Sequence, residues 1–101
     1  MSRDPSMRNK PQPIDREAAE AIAVQGLAFL AEEPARIQRF FLVTGLDPAE
    51  IRVRASTPEL LSAVLEHLAG DESLLLVFAA SRNVAPESIG LALRALQGPH
   101  P

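Results

Sequence analysis

The sequence predicts an all-α fold, a compact orthogonal bundle of five to six short helices. Apolar residues recur at helical spacing in successive segments, and helix-starting and helix-ending residues separate those segments. Only one run would also suit a buried strand, so a sheet has no second strand to pair with it. Hydrophobic residues make up 47% of the chain and cysteine is absent. An aliphatic core must therefore stabilise the chain without disulfides or cysteine-bound metal.

Both ends of the chain are predicted to lie outside the folded domain. Residues 1–14 contain three prolines among polar residues, with three basic residues against one aspartate, a composition too polar to form a core. Residues 98–101 read Gly-Pro-His-Pro and cannot continue a helix. One domain is expected over residues 15–97. The start lacks the apolar segment of a secretory signal, which together with the absence of cysteine favours the cytoplasm.

The first two predicted helices have clear start and stop signals. Asp15 caps a helix that runs to Ala31, and Gly26 inside it indicates close approach of a neighbouring helix. Pro34 suits the first position of the second helix, and Gly45 suits its left-handed C-terminal residue. The inward face predicted for the second helix comprises Ile37, Phe40, Phe41, Val43 and Thr44.

Three further helices follow the same signals. A short third helix begins at Asp47 and turns Ile51 and Val53 inward. A fourth extends over residues 57–69, and a last one begins near Pro86. The buried residues predicted for the fourth and the last helix are Leu61, Val64, Leu65, Leu68, Ile89, Ala92, Leu93 and Leu96.

The most apolar stretch is Leu74-Leu75-Leu76-Val77-Phe78-Ala79-Ala80, which follows the capping residue Asp71 and precedes the terminator Asn83. A helix this apolar has no solvent-facing side, so it is predicted to lie at the centre of the bundle. The stretch is too short to cross a bilayer, which requires about 20 apolar residues.

Residues 25–51 resemble residues 63–89 when the chain is shifted by 38 positions without a gap. Six identities result, against about two expected from average residue usage. The pattern predicts two pseudo-repeated helix-turn-helix units that cover each other's apolar faces. Similar capping of two unrelated helix pairs is the alternative. The identical pairs are Leu27/Leu65, Leu30/Leu68, Ala31/Ala69, Phe40/Phe78, Pro48/Pro86 and Ile51/Ile89.

The titratable residues form no recognisable catalytic or metal-binding pattern. The histidines are His67 and His100, and adjacent positions such as Glu66 and His67 point about 100° apart on a helix. No nucleophile elbow, phosphate-binding loop or zinc motif is present in the sequence. The chain is therefore expected not to be an enzyme and to have no catalytic, cofactor or metal site, with His67 as a partly exposed structural residue.

Two function classes remain. The first is a non-enzymatic protein-interaction or regulatory module whose partner is another protein or a second copy of the chain, because two helices have more apolar surface than a small bundle covers. The alternative is a DNA-binding helix-turn-helix over residues 34–56. The acidic start of its second helix and the net charge of −3 argue against a nucleic-acid partner. The predicted partner surface is Arg36, Arg39, Leu46, Arg52 and Arg54, although these arginines could equally be solvated counter-charges.

Several segments resemble a small bacterial family catalogued as domain of unknown function 3572. They are residues 21–31, residues 39–48 with the Phe-Leu-x-Thr-Gly-Leu-x-Pro segment that ends at Pro48, and the run from Leu74 to Ala80. The resemblance covers residues 15–97. It implies a small, soluble, all-helical bacterial protein, and it transfers no activity, cofactor or site residue.

Overall fold

The computed structural model describes residues 14–55 and 57–97, which form six helices and no strand, so the predicted all-α bundle is confirmed. The predicted tails lie outside the described residues, except for Ile14, which packs against the core. Ser56, the last residue of the predicted helix-turn-helix, also lies outside them. The helices are α1 (Arg16–Ala31), α2 (Pro34–Thr44), α3 (Pro48–Arg54), α4 (Pro58–Ala69), α5 (Glu72–Arg82) and α6 (Glu87–Gln97).

The capping residues fix the helix ends as the sequence predicts. A carboxylate oxygen of Asp15 accepts a hydrogen bond from the Ala18 backbone N–H at 2.8 Å, which satisfies one of the free donors of the first turn of α1. Asp71 caps α5 in the same way. Gly45 after α2 and Asn83 after α5 both adopt left-handed backbone conformations, with φ of 76° and 56°. Each residue ends its helix and turns the chain back toward the core.

Helices α1 and α4 together form the centre of the bundle, because each packs against the other and against α2, α5 and α6. Helix α4 packs most extensively against α1 and α6. Its buried residues are Leu60, Leu61, Val64, Leu65 and Leu68. At 20–33 cal/mol per Å², burying a leucine side chain contributes about 1.5–3 kcal/mol, so this stripe is a major source of stability.

The prediction that Leu74–Ala80 forms the centre is wrong. Phe78 and Ala79 are buried, but Leu76 and Val77 are 49% and 48% exposed. Helix α5 lies at the edge of the bundle, where α4 and α1 cover one side of it. Because successive side chains on a helix point about 100° apart, an unbroken apolar run on such a helix must turn some residues outward.

Two smaller burial predictions are also wrong. Val43 is 62% exposed on α2, and Val53 is 83% exposed on α3. Both residues lie on short outer helices whose inward side is already occupied by other residues, Phe40 on α2 and the half-buried Ile51 on α3. Apolar character alone therefore does not place these two valines in the core.

The 38-residue offset relates contacts as well as sequence. The ring of Phe40 packs edge-on against His67 with centroids 5.3 Å apart, and the ring of Phe78 packs edge-on against Phe29, also at 5.3 Å. Positions 29 and 67, like 40 and 78, are 38 apart. We call residues 38 positions apart equivalent. The Phe40–His67 contact thus corresponds to the Phe78–Phe29 contact with the two halves interchanged, as expected for a two-fold arrangement.

Equivalent residues also meet where α1 crosses α4. A Cβ atom added to Gly26 would lie 3.0 Å from Cγ1 of Val64, its equivalent, and 3.0 Å from Cδ1 of Leu68. The close helix approach predicted from Gly26 is thus confirmed. The approximate two-fold axis passes near this crossing, while descent of the two halves from a duplication stays a prediction.

The third helix of each half breaks this symmetry. Helix α6 packs against α1 and α4 to the same extent, so it lies near the axis that relates them. Only one helix fits there, and within the described residues α3 forms no extensive interface with another helix. Ile89 on α6 is accordingly buried, whereas its equivalent on α3, Ile51, is half-buried.

Candidate protein-interaction groove

A groove runs between α2 and α4 on the surface of the bundle, and we call it the α2–α4 groove. Val43, Thr44, Ala63 and His67 line its middle. The lining residues of α4 and its C-terminal cap extend from Glu59 to Gly70 on one face of the helix. With a rise of roughly 1.5 Å per residue, this stretch is about 17 Å long. Helix α4 thus uses one side for the core and the other for the groove.

The two ends of the groove differ in shape. Near the start of α5 it widens into an open depression of about 400 Å³ bordered by Arg39, Gly70 and Ser73. At the other end it narrows into a cleft of about 130 Å³ beneath α3, where Leu46 and Ile51 contribute apolar surface. The ends are continuous, because each shares lining residues with the middle.

The rim of the groove is acidic. Among the residues that the structure describes, five carboxylates and two guanidinium groups line it. Glu66 is held by a 2.7 Å hydrogen bond from Nε2 of Gln97 on α6, so α6 fixes one carboxylate in place. An acidic rim around an apolar floor favours a ligand that combines basic and apolar groups. The charged residues are Glu50, Glu59, Glu66, Asp71, Glu72, Arg39 and Arg54.

Of the two titratable residues described in the middle of the groove, Glu66 is exposed, whereas His67 is half-buried and packs against the ring of Phe40. Its Nε2 atom is buried and has no hydrogen-bond partner among the described residues. Burial lowers the pKa of His67 below 6.5, and the positive charge of Arg39 lowers it further, while Asp71 acts in the opposite direction. The imidazole is therefore neutral at pH 7, so the groove has no positive charge at this point of its floor.

The equivalent edge of the other half is bridged. There a guanidinium nitrogen of Arg82, at the end of α5, forms an ion pair and hydrogen bond with a carboxylate oxygen of Glu32, at the end of α1. The residues equivalent to this pair are Thr44 and Gly70 on the groove, and these two cannot form an ion pair. The α2–α4 groove is therefore open at the place where the α5–α1 edge carries a bridge.

Three of the five residues of the predicted partner surface line this groove, namely Arg39, Leu46 and Arg54. Arg36 lies elsewhere: its guanidinium donates to the Phe29 carbonyl oxygen at 3.3 Å and lies 4.1 Å from the centroid of that ring. This contact holds the corner between α1 and α2. Arg52 is exposed on α3 and is not among the lining residues.

Sequence reasoning did not identify the groove residues on α4. Ala63, Glu66 and His67 resemble ordinary residues of a helix face that points away from the core. Their place opposite α2 depends on tertiary packing, which no local pattern records. The sequence therefore carried no signal that could have identified these residues.

Other kinds of site find no support in the described residues. Across residues 14–55 and 57–97, no group of three or more His, Asp or Glu side chains is arranged to hold a metal ion. None of the helices in these ranges combines the length and the apolar character required to span a bilayer.

Comparison with known proteins gives one match. The family model DUF3572, described as a protein of unknown function, matches residues 16–99. No curated protein matches the chain. No solved structure matches it either.

Proposed function

We propose that this chain, which belongs to the DUF3572 family, is a protein-interaction module that receives a basic amphipathic helix of a partner protein in the α2–α4 groove. The observation that carries this proposal is the groove itself, an open channel with charged, mainly acidic residues along it and an apolar floor in its middle and at its α3 end. No catalytic role is assigned to any residue.

Two features indicate that the groove suits a helix: the length of the groove, and the way α6 already packs on two neighbouring helices. A channel of about 17 Å accommodates about three helical turns. The molecule already seats one helix between two others, because α6 lies against α1 and α4. A partner helix would pack on α2 and α4 with apolar residues at i, i+3, i+4 and i+7.

Charge favours a basic partner. Residues 14–97 contain twelve carboxylates and seven arginines, so the folded part is acidic as a whole, and the groove rim shares this bias. Attraction between opposite charges would speed the encounter and set the orientation of the helix, while the apolar floor would supply most of the affinity. Association should therefore slow as salt concentration rises.

Photo-crosslinking at equivalent positions tests the location. A benzophenone amino acid replaces Ala63, in the middle of the groove, or Gln25, its equivalent on α1. We expect the benzophenone at position 63 to crosslink one segment of the partner protein, with a basic amphipathic sequence. We also expect a synthetic peptide of that segment to bind the purified protein. Equal crosslinking at both positions, or crosslinked segments that are acidic, would overturn the proposal.

Charge reversal tests the electrostatics with a matched control. Glu72 is the first residue of α5 and borders the groove, whereas Glu87 is the first residue of α6 and does not line it. Glu72→Lys and Glu87→Lys remove the same favourable interaction with a helix N-terminus. We expect weaker binding of the crosslinked peptide for the first variant alone. An equal loss for both variants would contradict a role of the groove rim.

The DNA-binding alternative has a direct test as well. Helices α2 and α3 are consecutive and are joined at a left-handed Gly45, as in a helix-turn-helix. However, α3 has only seven residues, and the acidic Asp47 caps the end of α3 that would enter the major groove of DNA. We expect no shift of labelled duplex DNA at micromolar protein and about 50 mM salt. A shift that weakens with added salt would favour the alternative.

A second copy of the chain is the other possible occupant. Leu42 and Val53 are each 83% exposed and provide apolar surface outside the groove. Size-exclusion chromatography with light scattering over a micromolar concentration range distinguishes the cases. We expect a monomer. A dimer that dissociates in the Ala63→Trp variant would instead show that a second copy of the chain occupies the groove.

A further inference from the structure

The cleft at the α3 end of the groove is a pocket for a single side chain. Leu46, Ile51, Leu60 and Ala63 form its apolar walls, and its volume is about 130 Å³. An engineered apolar cavity of about 150 Å³ is known to stay dry and to bind benzene. The cleft is therefore large enough for one leucine, isoleucine or phenyl group and too small for two.

The cleft exists because α3 does not close on α4 as α6 closes on α1 and α4. On α6, Ile89 and Ala92 are buried. Their equivalents on α3 are Ile51, half-buried, and Arg54, whose charge would have to be desolvated if α3 packed as closely. Helix α3 also ends at Arg54, before the position equivalent to the buried Leu96. The space left over is the cleft.

Two carboxylates line the cleft, one from each of two helices. Glu50 lies on α3 and Glu59 lies on α4, and Arg54 lines the cleft as well. A basic group next to an inserted apolar side chain would meet both carboxylates. This arrangement distinguishes the cleft from the wider depression near α5, where Gly70 and Ser73 provide little apolar surface.

We propose that this cleft is the anchor site of the α2–α4 groove: it takes one branched or aromatic side chain of the partner helix, and Glu50 and Glu59 pair with a lysine or arginine one turn away. This inference rests on the proposed function and adds the sequence feature by which a partner is recognised. Truncation of the anchor to alanine should weaken binding by about 10- to 100-fold, since it forfeits most of one buried side chain.

Benzene tests the cleft without any knowledge of the partner. Methyl signals of Leu46, Ile51 and Leu60 are followed by NMR while benzene is added to the full chain. We expect saturable shifts at these methyl groups, lost in Ala63→Phe, which fills the cleft, and kept in Gln25→Phe at the equivalent position. Absence of shifts, or shifts spread over the exposed valines Val43 and Val53, would overturn the anchor site.

A model peptide separates failure of the anchor from failure of the proposed function. The probe is a lysine-rich amphipathic peptide of about 12 residues, matched to the groove length, with one central leucine. Leucine-to-alanine and lysine-to-glutamate versions serve as controls. We expect the parent to bind along the groove, the alanine version about 10- to 100-fold more weakly, and the glutamate version not at all.

The outcomes differ in a defined way. If the peptide binds along the groove but the alanine version binds equally well, the anchor site is wrong and the groove function stands. If neither lysine peptide binds at millimolar concentration, the basic-helix occupant is wrong, and the anchor site falls with it. If the glutamate version binds as tightly as the parent, the roles assigned to Glu50 and Glu59 are wrong.

Discussion

The two halves of the chain, residues 16–54 and 58–97, share an arrangement of helices and differ in how their outer edges are closed. Each half pairs a long first helix with a second helix that ends at a left-handed residue. Each second helix also places a buried phenylalanine on the ring at the equivalent position of the other half. The halves are thus alike where they contact each other and unlike where they face solvent.

The difference at the edges has a local physical cause. The α5–α1 edge carries the Arg82–Glu32 ion pair, and Arg36 further holds the corner beside it by lying over Phe29. At the equivalent places the other edge has Thr44, Gly70 and Leu74, none of which can form such a bridge. The groove therefore requires no additional helix or loop. It is open because, among the described residues, this edge has no counterpart of the Arg82–Glu32 ion pair or of the Arg36–Phe29 contact.

The largest effects should come from the contacts that the halves share. We expect Phe40→Ala and Phe78→Ala each to lower the free energy of unfolding by about 3–5 kcal/mol, because each removes a fully buried ring from the core. Urea unfolding followed by circular dichroism measures both. A cost below about 1 kcal/mol for either one, well under the usual range for a buried ring, would mean that the two rings are not equivalent in the core.

These shared features also mark how far the sequence could predict the structure. Asp15, Gly45 and Asn83 act through hydrogen bonds and backbone conformations within a few residues, so their roles follow from local chemistry. The position of Leu74–Ala80 does not, because burial depends on how many helices pack around a segment. Counting apolar residues placed this run at the centre, whereas α1 and α4, which cross each other and both pack against α6, occupy it.

The groove was only partly predictable for a related reason. Arg39, Leu46 and Arg54 stood out because they flank a recognisable turn. Glu66 and His67 carried no such signal, since only the packing of α2 against α4 brings them into the groove. The feature that distinguishes this edge is that it has no ion pair equivalent to Arg82–Glu32. This difference can be recognised in the sequence only when residues 38 positions apart are compared and the contacts of one half are known.

The helix crossing at Gly26 offers the next test. Gly26→Ala gains up to about 1 kcal/mol of helix propensity, but its methyl group meets Val64 and Leu68 at 3.0 Å, a clash that typically costs about 1–3 kcal/mol. We expect net destabilisation, and relief of at least about 0.5 kcal/mol when Val64→Ala is added. A double-mutant cycle from urea unfolding measures this coupling.

Gly90→Ala on α6 is the matched control for that cycle. A Cβ atom at this position meets no atom within 4 Å, so only helix propensity should change. Stabilisation by up to about 1 kcal/mol is expected. If Gly26→Ala stabilises the protein as much as Gly90→Ala does, close contact between the equivalent residues does not limit packing at the crossing.

Moving the Arg82–Glu32 ion pair to the equivalent positions of the other edge should change peptide binding more than it changes the free energy of unfolding. Thr44→Arg with Gly70→Glu places an ion pair across the α2–α4 groove, and Glu32→Gly with Arg82→Thr removes the existing one. Exposed ion pairs contribute about 0–1 kcal/mol, so moving the pair should itself change stability little. The first variant also loses the hydrogen bonds of the Thr44 hydroxyl and places a Cβ atom 3.3 Å from the Glu66 carbonyl oxygen, so we expect it to unfold within about 2 kcal/mol of the parent. The first variant should lose the lysine-rich peptide while the second retains it, as measured by fluorescence anisotropy. Equal binding by both would show that the open edge is not the binding site.

The smallest effect should come from the rings at positions 29 and 67, where one half has phenylalanine and the other histidine. Burial lowers the pKa of His67 below 6.5 in the folded protein, so between that lowered pKa and 6.5 the unfolded chain binds the proton more readily. Stability should therefore fall as pH decreases below about 6.5. His67→Phe keeps a ring against Phe40 and removes this dependence.

Urea unfolding of the parent and of His67→Phe at about pH 7.5 and about pH 5.5 measures the difference between them. All other residues are common to both proteins, so their contributions cancel in the comparison. We expect the stability of His67→Phe relative to the parent to increase at the lower pH. Parallel pH profiles would mean that the imidazole is solvated well enough to take up a proton without cost, and that the groove floor at this position is as accessible as its rim.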